Sequence, residues 1–372
     1  MKAVRILLLV LAAGVIPSCH SGRTFFSGSG LLAPAFDRAV GTLPESAAVG
    51  DFDRDGAPDI AVANSASNTV SVLLGDGNGG FAPAVSYNVG TAPGTVAVAD
   101  MNRDGIPDLV TANRDSNDVS VLLGTGTGTF GAATPFAVGT TEARHLVIGD
   151  FNEDAIPDVA VACRFEGLSI LLGTGTGSLG AANVISTGAA AEPYWVAAGD
   201  FDRDGHLDLA AVNSADDAVA VLLGVGDGTF GGVSTFAVQT LPQSVAVGDF
   251  NRDGIPDLAV SNDTSGTISI LLGSGTGSFG PATNIPAGLR PFSVTVGDMD
   301  RDGMDDLVVA NFGTNFISVL LATGPATFDP PRTFAVSPIA HSVTLADVNR
   351  GGFLDVIVTC RASQTISILL HN

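Results

Sequence analysis

Asp249-Phe250-Asn251-Arg252-Asp253-Gly254-Ile255-Pro256-Asp257 is one of seven versions of a single nonapeptide, and its recurrence decides the fold. The others are DFDRDGAPD from Asp51, DMNRDGIPD from Asp100, DFNEDAIPD from Asp150, DFDRDGHLD from Asp200, DMDRDGMDD from Asp298 and DVNRGGFLD from Asp347. Their starts lie 49 or 50 residues apart, a period that marks a repeat architecture. Working outward from Asp249, an alternating run (Ser244 to Gly248) precedes the motif and an apolar run (Leu258 to Val260) follows it. Next come a polar turn, a second alternating run (Thr267 to Leu272), a Gly-rich turn and a segment led by Phe279. These are four short strand signals per period, with no helical periodicity. The expected fold is all-β: a seven-bladed β-propeller of four-stranded antiparallel blades.

The last repeat stops after Ile366 to Leu370, one strand short of the others. Ser27 to Gly41, ahead of the first nonapeptide, parallels Gly126 to Gly139 and supplies the missing piece. The N-terminal strand is therefore expected to complete the last blade and close the ring, leaving no sheet edge bare at the junction. The propeller is expected to span residues 27–372 as one domain.

Oxygen-bearing side chains fall at positions 1, 3, 5 and 9 of the nonapeptide, with a main-chain carbonyl at 7 and Gly at 6 for a sharp turn. That is the ligand spacing of a calcium loop, and hard oxygen donors without a His or Cys cluster argue against zinc or copper. Position 1 is Asp51, Asp100, Asp150, Asp200, Asp249, Asp298 and Asp347; position 3 is Asp53, Asn102, Asn152, Asp202, Asn251, Asp300 and Asn349. Position 5 is Asp55, Asp104, Asp154, Asp204, Asp253 and Asp302, with Gly351 in the last loop. Position 9 is Asp59, Asp108, Asp158, Asp208, Asp257, Asp306 and Asp355. Aspartates at these positions make up 23 of the 38 acidic residues, a crowding that is costly without a cation. Six or seven structural Ca²⁺ ions are expected. The third loop, with Ala155 at position 6, and the seventh, with Gly351 at 5, are the weaker ones. Arg occupies position 4 in every loop except the third, which has Glu153, and this position is expected to point outward and soften repulsion between loops.

The nonapeptides, the period and the Leu-Leu-Gly-x-Gly-x-Gly-x-Phe stretches resemble FG-GAP/VCBS repeats, the family that includes the seven-bladed propeller of integrin α-subunits. The resemblance covers the chain from about residue 27 onward. It implies a calcium loop between the first two strands of each blade, on one rim, and ligand contacts on the opposite face. It implies little about function, because one propeller scaffold serves many.

Composition narrows the partners. With a net charge of −22 and Lys2 as its only lysine, the chain lacks the basic patch that nucleic acid needs. Lys2 and Arg5 precede an apolar run (Ile6 to Ile16) that ends in Pro17-Ser18-Cys19, which reads as a signal peptide over residues 1–19. Cys19 is a candidate lipidation site, so the expectation is an exported protein, either a lipoprotein of the outer membrane or cell surface or a secreted protein. Membrane contact would come only through that lipid. Cys163 and Cys360 occupy equivalent places in distant repeats and are expected to be buried thiols. A monomer is expected.

The face opposite the loops should carry the residues just ahead of each first strand, where an otherwise constant repeat varies: Arg144 and His145, Tyr194 and Trp195, Phe292, and His341. These candidates for ligand contact suit a protein or carbohydrate partner. The sequence thus reads as a calcium-stabilised, non-enzymatic binding or adhesion module, with no catalytic constellation assigned. The alternative is a polysaccharide lyase or hydrolase using Arg144, His145, Tyr194 and His341, and a third reading is a passive structural component.

Overall fold

The computed structural model describes residues 31–188 and 191–371. The expected signal segment, Cys19 included, lies outside the described residues. Those residues contain no helix and form seven four-stranded antiparallel sheets. The first blade runs Pro44–Gly50, Asp59–Asn64, Thr69–Leu73 and Val85–Asn88, and the following blades repeat this order. In the seventh blade the fourth place is taken by Phe36–Ala39, which pairs antiparallel with Thr365–Leu369. First strands pack on the first strands of both neighbours, and Ala340–Ala346 of the seventh blade packs on Pro44–Gly50, so the ring is closed.

Burial follows from this geometry. Every second strand is buried along its whole length, whereas fourth strands such as Val85–Asn88 and Thr134–Ala137 are exposed except for one half-buried residue. Alternate residues of each strand face opposite neighbours, so the core is divided into seven interfaces. Between the first two blades, for example, Ala61, Val70 and Val72 meet Val96, Leu109 and Leu122. Position 2 of the nonapeptide supplies the largest plug. Phe52, Phe151, Phe201 and Phe250 each lie edge-on to the Phe that follows the Gly-rich turn of the next blade, at centroid distances of 5.4–6.1 Å. This use of the Phe explains a departure from expectation. In the fifth blade Phe279 makes a single bridge to Gly273, and the fourth strand starts later, at Thr283.

Glycine in the turn is required by close approach. A Cβ on Gly128 would sit 2.8 Å from Leu74 of the preceding blade, and one on Gly277 would sit 2.5 Å from Leu223. Both glycines have left-handed φ, and their N–H groups donate to the carbonyls of Phe52 and Phe201. Cys163 and Cys360 are buried and unpaired, as expected, and burial pushes their thiols up to about 12 and about 11.

Removing residues 31–39 should leave the apolar strand Thr365–Leu369 with a bare edge. The expected result is a lower denaturation midpoint and higher-order species in light scattering that the full chain does not form. An unchanged midpoint would mean that the ring does not depend on this strand.

Candidate functional site

Each nonapeptide links the first strand to the second on one face of the ring, and position 9 fastens it. The Asp59 carboxylate is fully buried; its Oδ2 accepts the Phe52 N–H and its Oδ1 accepts the Gly75 N–H, both at 2.7 Å. The same pair of bonds recurs at Asp108, Asp158, Asp208, Asp257, Asp306 and Asp355. Burial pushes these acids up to about 6 at Asp59, Asp108, Asp158, Asp208 and Asp257, and to about 7 at Asp306, although the backbone bonds pull the other way. Position 5 closes the turn, Asp55 Oδ1 accepting the Ala57 N–H at 2.6 Å, while position 1 accepts the Gly56 N–H through Asp51 Oδ2 at 3.0 Å.

The loops are not equivalent. Three carboxylates converge, with one oxygen from each within 4.8 Å of the others, at Asp51/Asp53/Asp59, Asp200/Asp202/Asp208 and Asp298/Asp300/Asp302. In the first and fourth loops, Asp51 Oδ1 and Asp200 Oδ1 are buried with no hydrogen-bond partner. A buried, unpaired carboxylate oxygen is costly, and an oxygen-ligated cation would satisfy it, so the donor set fits a hard divalent ion. In the second, third and fifth loops, Asn at position 3 instead donates its Nδ2 to position 5, as Asn102 does to Asp104 at 2.9 Å. In the seventh loop, Gly351 and Gly352 donate to Asp347, and Asn349 turns toward Asp355.

Position 4 is solvent-exposed in every loop, in keeping with the expectation of an outward side chain, but it does not stand free of the ring. Its backbone is left-handed in all seven loops, with φ of 55–63°, and the side chain lies along the rim over the next loop. Arg54 packs against Gly126 beside Ile106, and Arg103 and Arg203 do the same at Gly175 and Gly275. Arg301 sits 4.0 Å from the Phe353 ring, and Arg350 reaches Gly56 and Gly77 across the ring closure. Glu153, the one acid at this position, bonds His206, the one histidine at position 7 of a loop. The long side chains thus reach from each blade to the next, their stems packed on the neighbouring turn and the charged ends of Arg252, Arg301 and Arg350 over the next acidic loop.

On the opposite face, every first strand carries a bulge at its start. The ladder skips at Glu45, Gly94, Arg144, Tyr194, Gln243 and Phe292, and across His341 and Ser342. Bulges re-aim side chains, and these bring four of the six candidates together. Arg144 lies 4.9 Å from the Tyr194 ring, Tyr194 is edge-on to Phe292 at 5.7 Å, and Phe292 meets His341 at 4.4 Å. The cluster continues to Glu45, which takes His341 Nε2 at 3.1 Å and Arg361 at 2.9 Å. His341 is buried, which lowers its pKa, and its Nδ1 lies 2.8 Å from the Glu45 carbonyl oxygen. His145 and Trp195 stand apart: they stack on each other at 3.7 Å, and Trp195 packs into the core between the fourth and fifth blades. Burial holds His145 down to about 3, so it stays neutral.

A closed seven-bladed propeller with a carboxylate loop in every blade is the class these features define. The chain belongs to the FG-GAP-like repeat family, whose profile matches residues 51–111, 100–161, 150–211, 207–260, 249–309 and 298–358. No curated protein matches it. Among solved structures it is similar to BBS1N in complex with ARL6DN, with a TM-score of 0.66 at 10% identity, covering 92% of this chain and 97% of that one. It is also similar to an Agrocybe aegerita lectin studied for recognition of non-reducing terminal N-acetylglucosamine, with a TM-score of 0.58 at 19% identity, covering 80% and 81%. At these identities the likeness concerns the fold.

Ala155 holds φ of 62° in the place of the loop glycine. An added Cβ meets nothing at the equivalent Gly105, Gly205 and Gly254, so the cost at Ala155 lies in the backbone. Ala155→Gly should raise unfolding free energy by about 0.5–1 kcal/mol, the left-handed strain less the added chain entropy. Denaturant titration measures this, and a loss of stability would contradict the strain.

Proposed function

We propose that this propeller is an exported, calcium-stabilised, non-enzymatic binding or adhesion module that takes a protein or carbohydrate partner on the face opposite its acidic loops. One observation carries the reading. A backbone that repeats seven times carries a different residue at each of its seven bulges, and five of them, Glu45, Arg144, Tyr194, Phe292 and His341, converge into one mixed aromatic and charged cluster. Rigid scaffolds with variable loops are built for recognition. The similar folds include a propeller in a protein complex and a lectin, which is in keeping with this class of partner. The two candidate histidines favour recognition over proton transfer, because both ring nitrogens of His341 in the cluster are engaged and His145, outside it, is neutral and stacked on Trp195.

Calcium would be held by the carboxylates at positions 1, 3, 5 and 9, with the first, fourth and sixth loops bringing the most charge together. Its contribution is charge neutralisation and loop closure. Extracellular calcium modules bind at roughly 10⁻⁴–10⁻³ M, so at millimolar calcium each site adds about 0.4–1.4 kcal/mol by mass action. Over several sites this is comparable with the ~5–15 kcal/mol net stability of a domain.

Dialysis against EDTA should therefore lower the melting temperature, and added Ca²⁺ should restore it. A melting temperature indifferent to both would remove calcium from the account. The binding role is tested by screening glycan and surface-protein arrays with the calcium-loaded protein, with folding followed separately by circular dichroism. Turnover of an acidic polysaccharide that is abolished in an Arg144→Ala/Tyr194→Phe variant would replace binding with catalysis.

A further inference from the structure

The face opposite the acidic loops divides into two halves of different chemistry. Its lead-in segments and second-to-third-strand turns in blades two to four carry Asp115, Glu142, Glu166, Glu192, Asp216 and Asp217. The same segments of blades five, six, seven and one contain a single acid, Asp263, and the bulges of those blades add only Glu45. Both are buried under arginines. Asp263 is 6% exposed and takes two bonds from Arg290, which is 54% exposed; Glu45 is 8% exposed beneath Arg361 at 24%. In a chain of net charge −22, the turns, lead-ins and bulges of this half present arginines to solvent and cover their own carboxylates; the exposed Asp37 of the adjoining fourth strand accepts the Ser337 hydroxyl.

Large apolar side chains cluster beside those cations. Leu289 is 74% exposed, Phe316 47% and Leu241 38%. The arginines hold the half-buried Phe312 between these side chains in sequence: Arg290, next to Leu289, stacks on Phe312 at 4.7 Å, Arg361 lies 5.9 Å from the same ring, Phe316 follows four residues on, and the Leu241 carbonyl accepts the Asp263 N–H. Phe312 in turn touches Phe292 at 5.4 Å, which joins the patch to the axial cluster.

We propose that this half, centred on Leu289, Arg290, Phe312 and Phe316, docks a polypeptide segment that presents large apolar side chains together with carboxylates. The inference rests on the binding reading above and narrows it to one partner class and one set of blades. Asp263 uses two of the five guanidinium N–H groups of Arg290, leaving donors for an incoming carboxylate. Exposed aromatic and arginine side chains at the centre of a patch are the usual anchors of protein recognition. A sugar would need free acceptors for its hydroxyls, and the two carboxylates here are already committed to arginine. An anionic membrane is favoured by clusters of basic residues, whereas this half offers two arginines, each in an ion pair.

The test is selection of a random-peptide phage library on the calcium-loaded full chain, followed by binding of the selected peptides to variants. The expected peptides are enriched in large apolar residues with Asp or Glu, and bind more weakly as salt rises. Leu289→Ser/Phe316→Ser, which leaves both ion pairs intact, should weaken them by roughly tenfold or more. Arg290→Gln should do the same, while Phe165→Ser on the acidic half should not. Peptides without acidic enrichment, peptides unaffected by these variants, or no enriched peptide at all would overturn the proposal. So would binding to phosphatidylserine vesicles in place of peptides. Selected peptides displaced by Phe165→Ser alone would move the site to the other half and leave the binding reading standing; peptides mapping to the acidic-loop face would sink both.

Discussion

The structure depends on a buried carboxylate that accepts two backbone N–H groups, once in every blade. Asp59 joins the start of its own loop to Gly75, sixteen residues later, so one side chain sets the spacing between the first two strands and the Gly-rich turn. That spacing places Phe52 in the interface with the second blade, where it meets Phe130 edge-on and its carbonyl accepts the Gly128 N–H. The carboxylate is expensive to bury, as its raised pKa shows, and two charge-assisted bonds offset only part of the cost. A cation among the neighbouring carboxylates is the remaining compensation the loop can recruit. The acidic loop and the blade packing are therefore one device: weakening the loop loosens the contact to the next blade.

The fold was legible because this device leaves a rigid signature in sequence. Oxygen donors alternate with a buried Phe, Met or Val at position 2, and Gly254 or its equivalents (Ala155 in the third loop) sit where the backbone must be left-handed. Ring closure was equally legible, because an incomplete last repeat and an extra N-terminal strand are complementary, and Phe36–Ala39 does pair with Thr365–Leu369. The direction of Arg54 and its counterparts was not. A left-handed residue at position 4 has no distinctive composition, and whether its side chain points to solvent or along the rim depends on the next blade. Only the unusual Glu153, facing the equally unusual His206 one blade on, carried a trace of that contact.

The opposite face was legible in part. Variation against a constant repeat picked out Arg144, Tyr194, Phe292 and His341, which the structure brings into one cluster. It also picked out His145 and Trp195, which differ from the other blades for a packing reason. The position after the bulge faces the neighbouring blade, where Ser46 and Ser244 accept a backbone N–H; in blades three and four a stacked ring pair fills that space. The bulge itself has no sequence signal, since the skipped residue differs in every blade, and it decides which of two adjacent side chains turns to the axis.

Charge placement links the two faces. One rim concentrates carboxylates, which disfavours an acidic partner there. The other can meet an acidic partner only where its own acids are absent or covered. Asp263 and Glu45 are covered by Arg290 and Arg361, so the half around blades five to seven keeps the hydrogen-bonding specificity of ion pairs while showing positive charge outward. Glu45 is held inside by the fold itself, where it accepts the Ser65 hydroxyl and meets His341 and Arg361 across the ring closure, whereas blades two to four carry more exposed pairs such as Arg114 with Asp115. Turns that cover their acids, show their arginines and leave Leu289 in solvent are the chemistry on which the proposed docking rests.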